Sequence, residues 1–480
     1  MAENIGNNLI NGEWVKSDDY FESINPSDTS DVVGKFSAAT PSDCQLAIDS
    51  ARSAFSEWSK SSLEQRKTVL DFIGDELIQH SEELGYLLSR EEGKPLTEGI
   101  GEVVRAGQFF QYFGAEVLRQ MGETTPSVRP GVEIDVTREP LGVIGIITPW
   151  NFPVAVAAWK IAPALAFGNS VILKPSGMVP ASACALAKIL HQSNLPAGTF
   201  NLLLGPGKVA GQAISQSNNI DAISFTGSVA TGRHIAQDAI TNMTRIQLEM
   251  GSKNALLILD DADIDTAIEC AINGAFFGSG QKCTASSRLI VEQGIYDQFI
   301  EKMIIATESL VVGHALAKGT QIGPVIDQRQ FDQNLKYIEL AKSEGAALVA
   351  GGNTVSMETN GYYMRPTLFT NTSNNMRVNR EEIFGPIACV IKVSDYEEGL
   401  TTSNDSDFGL TAGIITTSLE KATHFKRHSE SGCVMVNLPT AGTDYHVPFG
   451  GRKSSSFGPR EQGQYAKEFY TVVKTSYVSA

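Results

Sequence analysis

A chain of 480 residues with 42% apolar and 19% charged side chains has an ordinary globular composition and is too long for one core, so two or more domains are expected. Its 38 basic residues against 54 acidic ones leave a net charge of -16, which disfavours nucleic acid and anionic membrane as partners while leaving a small-molecule site open. Residues 1–8 lack the basic-then-apolar order of a secretory leader, and the most apolar stretch, residues 153–168, is interrupted by Lys160 and Pro163, so no membrane span is expected.

In chain order, residues 41–119 carry a helical period. Pro41-Ser-Asp supplies capping residues, and Ala-Ile-Asp-Ser-Ala-Arg-Ser-Ala-Phe repeats apolar positions every three or four residues. Val132-Glu-Ile-Asp-Val-Thr-Arg alternates strictly and predicts a half-exposed strand. Short β-branched runs follow at residues 143–147, 170–173, 200–204 and 222–225, separated by helical stretches. That spacing predicts an α/β fold, a parallel sheet with helices on both faces. A second α/β series runs from Asn254 to about Val436, and residues 470–478 read as one more alternating strand. No repeat or low-complexity linker marks a boundary, so the break near Gly251 is placed where the motifs change.

Three side chains carry a chemistry. Cys283 stands between Gly278-Ser-Gly-Gln-Lys and Thr284-Ala-Ser-Ser-Arg. Small polar neighbours and the adjacent Lys282 predict an exposed thiol of lowered pKa, a nucleophile. Glu249 ends the run Ile246-Gln-Leu and opens a Gly turn. In a partly apolar channel such a carboxylate has a raised pKa, which suits a general base toward water. Asn151, in Thr148-Pro-Trp-Asn-Phe-Pro, is either a turn residue or a donor to an oxyanion. The other cysteines (Cys44, Cys184, Cys270, Cys389, Cys433) sit in apolar or helical contexts and read as buried small hydrophobes. With no Cys-x-x-Cys pair, a reducing cytoplasm is expected. The histidines are scattered and no metal site is expected; His424 and His428 read as one face of a solvated basic helix.

Phe225-Thr-Gly-Ser-Val-Ala-Thr-Gly follows an apolar strand and opens a helix. Gly227 lets the backbone approach a pyrophosphate, and the helix start at Ser228 favours its charge, although the spacing departs from the common G-x-G-x-x-G. Gly207 and Gly211 belong to a second Gly-rich turn.

Together, Gly-Gln-Lys-Cys283, Glu249-Met-Gly-Ser-Lys-Asn, Pro-Trp-Asn151-Phe-Pro and Phe225-Thr-Gly-Ser resemble the aldehyde dehydrogenase superfamily, over nearly the whole chain. The resemblance implies an aldehyde dehydrogenase-like α/β fold: a Rossmann-type cofactor domain over residues 1–119 and 141–251, an α/β catalytic domain over 252–451, and oligomerisation segments at 120–140 and 452–480. These segments would join subunits of a homodimer or homotetramer through a small hairpin; two edge strands of one sheet is the other reading. It also implies oxidation of an aldehyde to a carboxylic acid with NAD(P), through a thiohemiacetal and a thioester on Cys283. The Asn151 amide and the Cys283 backbone N–H would hold the oxyanion, and Glu249 would activate water. Lys160 matches a family lysine near the site, in an electrostatic or a structural role.

For the cofactor, the resemblance implies Trp150 and Met250 beside the reacting centre and Lys174, Ser176 and Gly177 at the adenosine ribose. Gly207 and Gly211 would lie under the adenine, and Phe225, Gly227 and Ser228 at the pyrophosphate. From Glu381-Glu-Ile-Phe-Gly-Pro, Glu382 would hold the nicotinamide ribose and Phe384 would pack near the ring. Many NAD-preferring members carry a Glu where this chain has Gly177. Without that repulsion Lys174 and Ser176 can bond a 2′-phosphate, so NADP is expected to be used well, with NAD as the alternative. Asn437-Leu-Pro and Pro448-Phe449-Gly-Gly lie at the substrate mouth of the family. Residues 437–446 and 456–463 are similar to members that oxidise α-ketoglutaric semialdehyde, whose carboxylate would meet Lys282 or Arg105. Trp159 stands where some semialdehyde dehydrogenases carry an Arg. Succinate semialdehyde or a broad range of aldehydes is the alternative, and a non-catalytic relative is the alternative of another class.

Overall fold

The computed structural model describes residues 5–119 and 122–479. Helix α1 (Pro41–Trp58) opens on a capping box between Thr40 and Asp43 with Pro41 in its first turn. Helices α2 (Leu63–Gln79) and α3 (Ser81–Glu92) follow, then α4 (Leu96–Glu116), which buries Val103, Ala106, Phe109, Phe110 and Phe113 on one face. Helix α5 (Ala155–Ala166) is buried over nearly its whole length, as its Ala-rich sequence requires for close packing.

The first large sheet has eight strands in the order Ser456–Phe457, Arg245–Glu249, Ala222–Thr226, Val143–Ile147, Ser170–Lys174, Phe200–Leu202, Asn8–Ile10 and Glu13–Val15. The five strands from Arg245–Glu249 to Phe200–Leu202 run parallel. The chain leaves Val143–Ile147 toward Ser170–Lys174, then returns to its other side with Ala222–Thr226. That reversal is a topological switch point, where open α/β sheets form a crevice at the carboxyl ends of their strands. A second sheet of seven strands contains Asn254–Ile258, Ser286–Glu292 and Ile387–Val393 at its centre. These central strands are buried and largely Leu, Ile, Val and Ala rather than alternating, because both faces are covered.

The two alternating segments pair with each other. Thr471–Ser479 lies antiparallel along Val132–Pro140, with Thr471 opposite Pro140 and Ser479 opposite Val132, and Glu123–Pro126 takes the other side. The expected start of this unit at residue 120 lies outside the described residues. One boundary needs correction: residues 452–470 do not join this small sheet. Ser456–Phe457 pairs with Arg245–Glu249, and Phe469 and Tyr470 pack into the first core, because those aromatic side chains find their apolar partners there. No described helix is long and apolar enough to cross a membrane, and no group of three metal-ligating side chains occurs among the described residues.

Candidate active site

Three consecutive left-handed residues set the nucleophile. Gly278, Ser279 and Gly280 have φ of 65°, 54° and 65°. A Cβ on Gly280 would lie 2.2 Å from the Gly385 carbonyl oxygen, so glycine is required for this close approach. The turn delivers Cys283, whose carbonyl accepts from Ser252 Oγ and from Asn254 Nδ2 at 2.8 Å. Ser252 and Asn254 lie directly after Glu249, so one short loop ties the thiol to the carboxylate.

Asn151 sits in the turn after Val143–Ile147, at the switch point. Its Nδ2 donates to the Gln281 carbonyl at 2.9 Å, and its own carbonyl accepts from Lys94 Nζ at 2.6 Å. Lys94 is paired with Glu102 at 2.7 Å. The same Glu102 accepts from the backbone N–H groups of Val154 and Ala155 at 2.9 and 3.1 Å, and so caps α5. Sequence reasoning missed Lys94 and Glu102; the available signal was a carboxylate next to Val103 on the apolar face of α4.

Glu249 is buried at the end of its strand and accepts from Ser456 Oγ. Burial holds its carboxyl well above the ordinary range, and the Glu461 carboxylate adds to the shift. Gly450, at φ 148°, leaves room for it, since a Cβ there would lie 2.7 Å from Glu249 Oε1.

Lys160 does not face the cavity. It is wholly buried, donates to Ser224 Oγ at 2.8 Å and is paired with Glu461. Glu461, also missed, lies in a loop far along the sequence with nothing local to distinguish it. Glu461→Gln leaves the Lys160 ammonium buried without its counter-charge. A loss of about 3–5 kcal/mol is expected in denaturant unfolding; an unchanged midpoint would refute the pairing as a structural element.

The expected lowered pKa of Cys283 is contradicted. Its half-buried thiol is pushed up to about 12, first by burial and then by the carboxylates of Glu382 and Glu249. Lys282 is adjacent in sequence but turned away. Its Nζ donates to the Asn273 carbonyl at 2.9 Å, and burial lowers its pKa to about 8.

One cavity of about 810 Å³ gathers Trp150, Asn151, Gly227, Ser228, Glu249 and Met250 with Lys282, Cys283, Glu382, Phe384, Arg105 and Phe449. Its walls come from the switch point of the first sheet and the facing loops of the second. Glu382 accepts from the Ser252 N–H at 2.8 Å, and burial raises its pKa to about 7. Phe384 has φ 62° and meets Trp150 edge-on at 5.3 Å. Lys160, Lys174, Ser176, Gly177, Gly207, Gly211 and Phe225 lie outside that wall. Phe225 is buried in its strand, beneath Gly227.

A dinucleotide fits what is there. Lys174 ends its strand nine-tenths buried, its ammonium with no hydrogen bond or ion pair among the described residues, and burial lowers its pKa to about 8. Ser176 Oγ accepts from Met178 N at 3.3 Å and keeps its own proton to donate. Added Cβ atoms at Gly207 and Gly211 would meet nothing within 4 Å, and at Gly177 only the Gly205 carbonyl at 3.8 Å. The helix Val229–Asn242 begins at Ser228, its amide end toward the cavity wall.

Residues 14–476 match the aldehyde dehydrogenase family, and the chain belongs to that family. It is 41% identical over 475 residues to the alpha-ketoglutaric semialdehyde dehydrogenase of Bacillus subtilis (strain 168), covering 98% of this chain and 97% of that one. It is 39% identical over 469 residues to the 2,5-dioxopentanoate dehydrogenase of Saccharolobus solfataricus, covering 97% and 98%. Among solved structures, betaine aldehyde dehydrogenase from Staphylococcus aureus in complex with NAD+ aligns with a TM-score of 0.96 at 34% identity, covering 98% of this chain and 95% of that one.

Proposed function

We propose that this chain oxidises α-ketoglutaric semialdehyde to α-ketoglutarate with a nicotinamide cofactor. The observation that carries the reaction is the convergence of Cys283, Asn151 and Glu249 on one cavity. The two semialdehyde dehydrogenases above, similar over their full lengths, support the substrate.

The Cys283 thiol gives its proton to solvent and the Sγ thiolate adds to the aldehyde carbon. The Asn151 amide and the Cys283 N–H hold the resulting oxyanion. A nicotinamide held beside Trp150, Glu382 and Phe384 would supply the acceptor for the aldehyde hydride, and Cys283 would then carry the acyl group as a thioester. Glu249 takes a proton from the water that attacks this thioester, and the adduct collapses to the acid and the Cys283 thiolate. Purified protein is expected to reduce the cofactor with this substrate at a kcat/KM about tenfold or more above that for succinate semialdehyde. Equal values would sink the substrate assignment.

NADP is proposed to serve at least as well as NAD. Lys174 is an uncompensated buried cation beside an open Gly177, an arrangement that favours a 2′-phosphate. Gly177→Glu should raise the KM for NADP about tenfold while leaving that for NAD within about twofold. A wild-type KM for NADP far above that for NAD would overturn this. The small three-stranded sheet is proposed to join subunits, and the six free cysteines suit a reducing cytoplasm.

A further inference from the structure

Resting on the substrate reading above, we infer that Arg105 and Trp159 form the clamp that recognises the carboxylate of the aldehyde. Both line the cavity that holds Cys283. Arg105 projects from α4 on the face that also carries Gly101 and Phe109, one helical turn to either side. It makes no ion pair or hydrogen bond among the described residues, and its guanidinium lies 5.5 Å from the centre of the Tyr445 ring. A cation–π contact of this kind leaves the guanidinium N–H groups free for an acceptor. A Cβ on Gly101 would meet nothing within 4 Å, so there is room beside the fork.

Trp159 supplies the second donor. Its indole N–H is buried and has no partner among the described residues. A buried donor of this kind ordinarily finds an acceptor. The ring is held from two sides, edge-on to Phe109 at 5.9 Å and tilted on Phe449 at 5.6 Å. Arg105 and Trp159 thus bracket Phe109 from neighbouring helices, one charged donor and one neutral donor at an otherwise aromatic end of the cavity.

The other cations of the wall are less suited. Lys282 already donates to the Asn273 carbonyl. Arg329 is exposed, at the start of a helix whose Gln330 donates to the carbonyls of Ile383 and Phe384, on the Glu382 side of the cavity. A planar carboxylate at the end of a short chain, its aldehyde at Cys283, needs the fork of an Arg rather than a point charge.

The test compares α-ketoglutaric semialdehyde with pentanal, an uncharged aldehyde of the same chain length. Arg105→Gln should lower the ratio of their kcat/KM values about 30-fold, mostly through KM for the charged substrate. Trp159→Phe keeps the ring and loses the N–H, and should lower the same ratio about fivefold. Arg105→Lys should restore only part of the Gln loss. A loss of equal size on both aldehydes, or no loss on either, overturns the clamp. A second readout does not depend on which aldehyde is the substrate: alkylation of Cys283 by 5-iodopentanoate against 5-iodopentanamide. In Arg105→Gln the acid-to-amide rate ratio should fall about tenfold; an unchanged ratio counts against Arg105 even if the semialdehyde proves to be the wrong substrate. If wild-type enzyme prefers pentanal while the alkylation ratio still falls in Arg105→Gln, the substrate reading fails and the clamp stands for another carboxylated aldehyde.

Discussion

Cys283→Ala is expected to lower aldehyde oxidation by roughly ten-thousand-fold or more, because no other thiol among the described residues lines the cavity. Binding of the nicotinamide cofactor, followed by fluorescence, should persist, since the Cys283 carbonyl rather than its side chain carries the contacts to Ser252 and Asn254. A fully active variant would end the covalent mechanism. The same thiol sets a pH dependence in the wild type. Only the thiolate attacks, and its pKa is pushed up to about 12, so the ionised fraction grows with pH throughout the neutral range. Single-turnover acylation should therefore climb by about tenfold per pH unit from neutral toward alkaline conditions. In the alkylation of Cys283 without cofactor, a rate that levels off at about pH 8–9 would show a thiol of ordinary pKa, and a plateau from about pH 6 a lowered one.

Glu249→Gln should separate the two halves of the reaction. Acylation of Cys283 continues, so one equivalent of reduced cofactor forms per site, and steady-state turnover then drops by about 10²- to 10³-fold because water is no longer deprotonated. Rapid mixing with absorbance at the reduced-nicotinamide band resolves the burst. Its absence together with normal turnover would remove Glu249 from the mechanism. The sign of the wild-type pH effect on this step follows from burial. The carboxyl is held well above its ordinary range, the base acts only when ionised, and deacylation falls as pH drops through that raised pKa.

Much of this was legible from local sequence. The strand Val132–Pro140 announced itself by strict alternation, and the parallel strands by β-branched runs spaced a helix apart. Cys283, Glu249 and Asn151 stood out because each sits in a turn with small or aromatic neighbours, and turns at strand ends are where an α/β sheet exposes its chemistry. What stayed hidden depended on distance in space. Glu461 reaches Lys160 from the far end of the chain, and Glu102 reaches the N-terminus of α5 from another helix; neither pairing leaves a local mark. The Cys283 pKa was misread for the same reason. Lys282 is next in line, but burial and the carboxylates of Glu382 and Glu249, distant in the chain, decide the direction of the shift. Residues 452–470 are adjacent in sequence to the terminal strand, yet Ser456–Phe457 pairs with the first sheet and Phe469 and Tyr470 pack into its core.

The double engagement of Glu102 has a practical consequence for anyone mapping this enzyme by mutation. One carboxylate finishes the amino end of α5 and, through Lys94, steadies the backbone of the residue offered as oxyanion donor. Folding and turnover are therefore read through one side chain, Oε1 at the helix end and Oε2 at Lys94. An activity screen alone would score a frayed helix as lost chemistry and place Glu102 among the reacting groups, whereas a melting curve run beside it would tell architecture from reactivity.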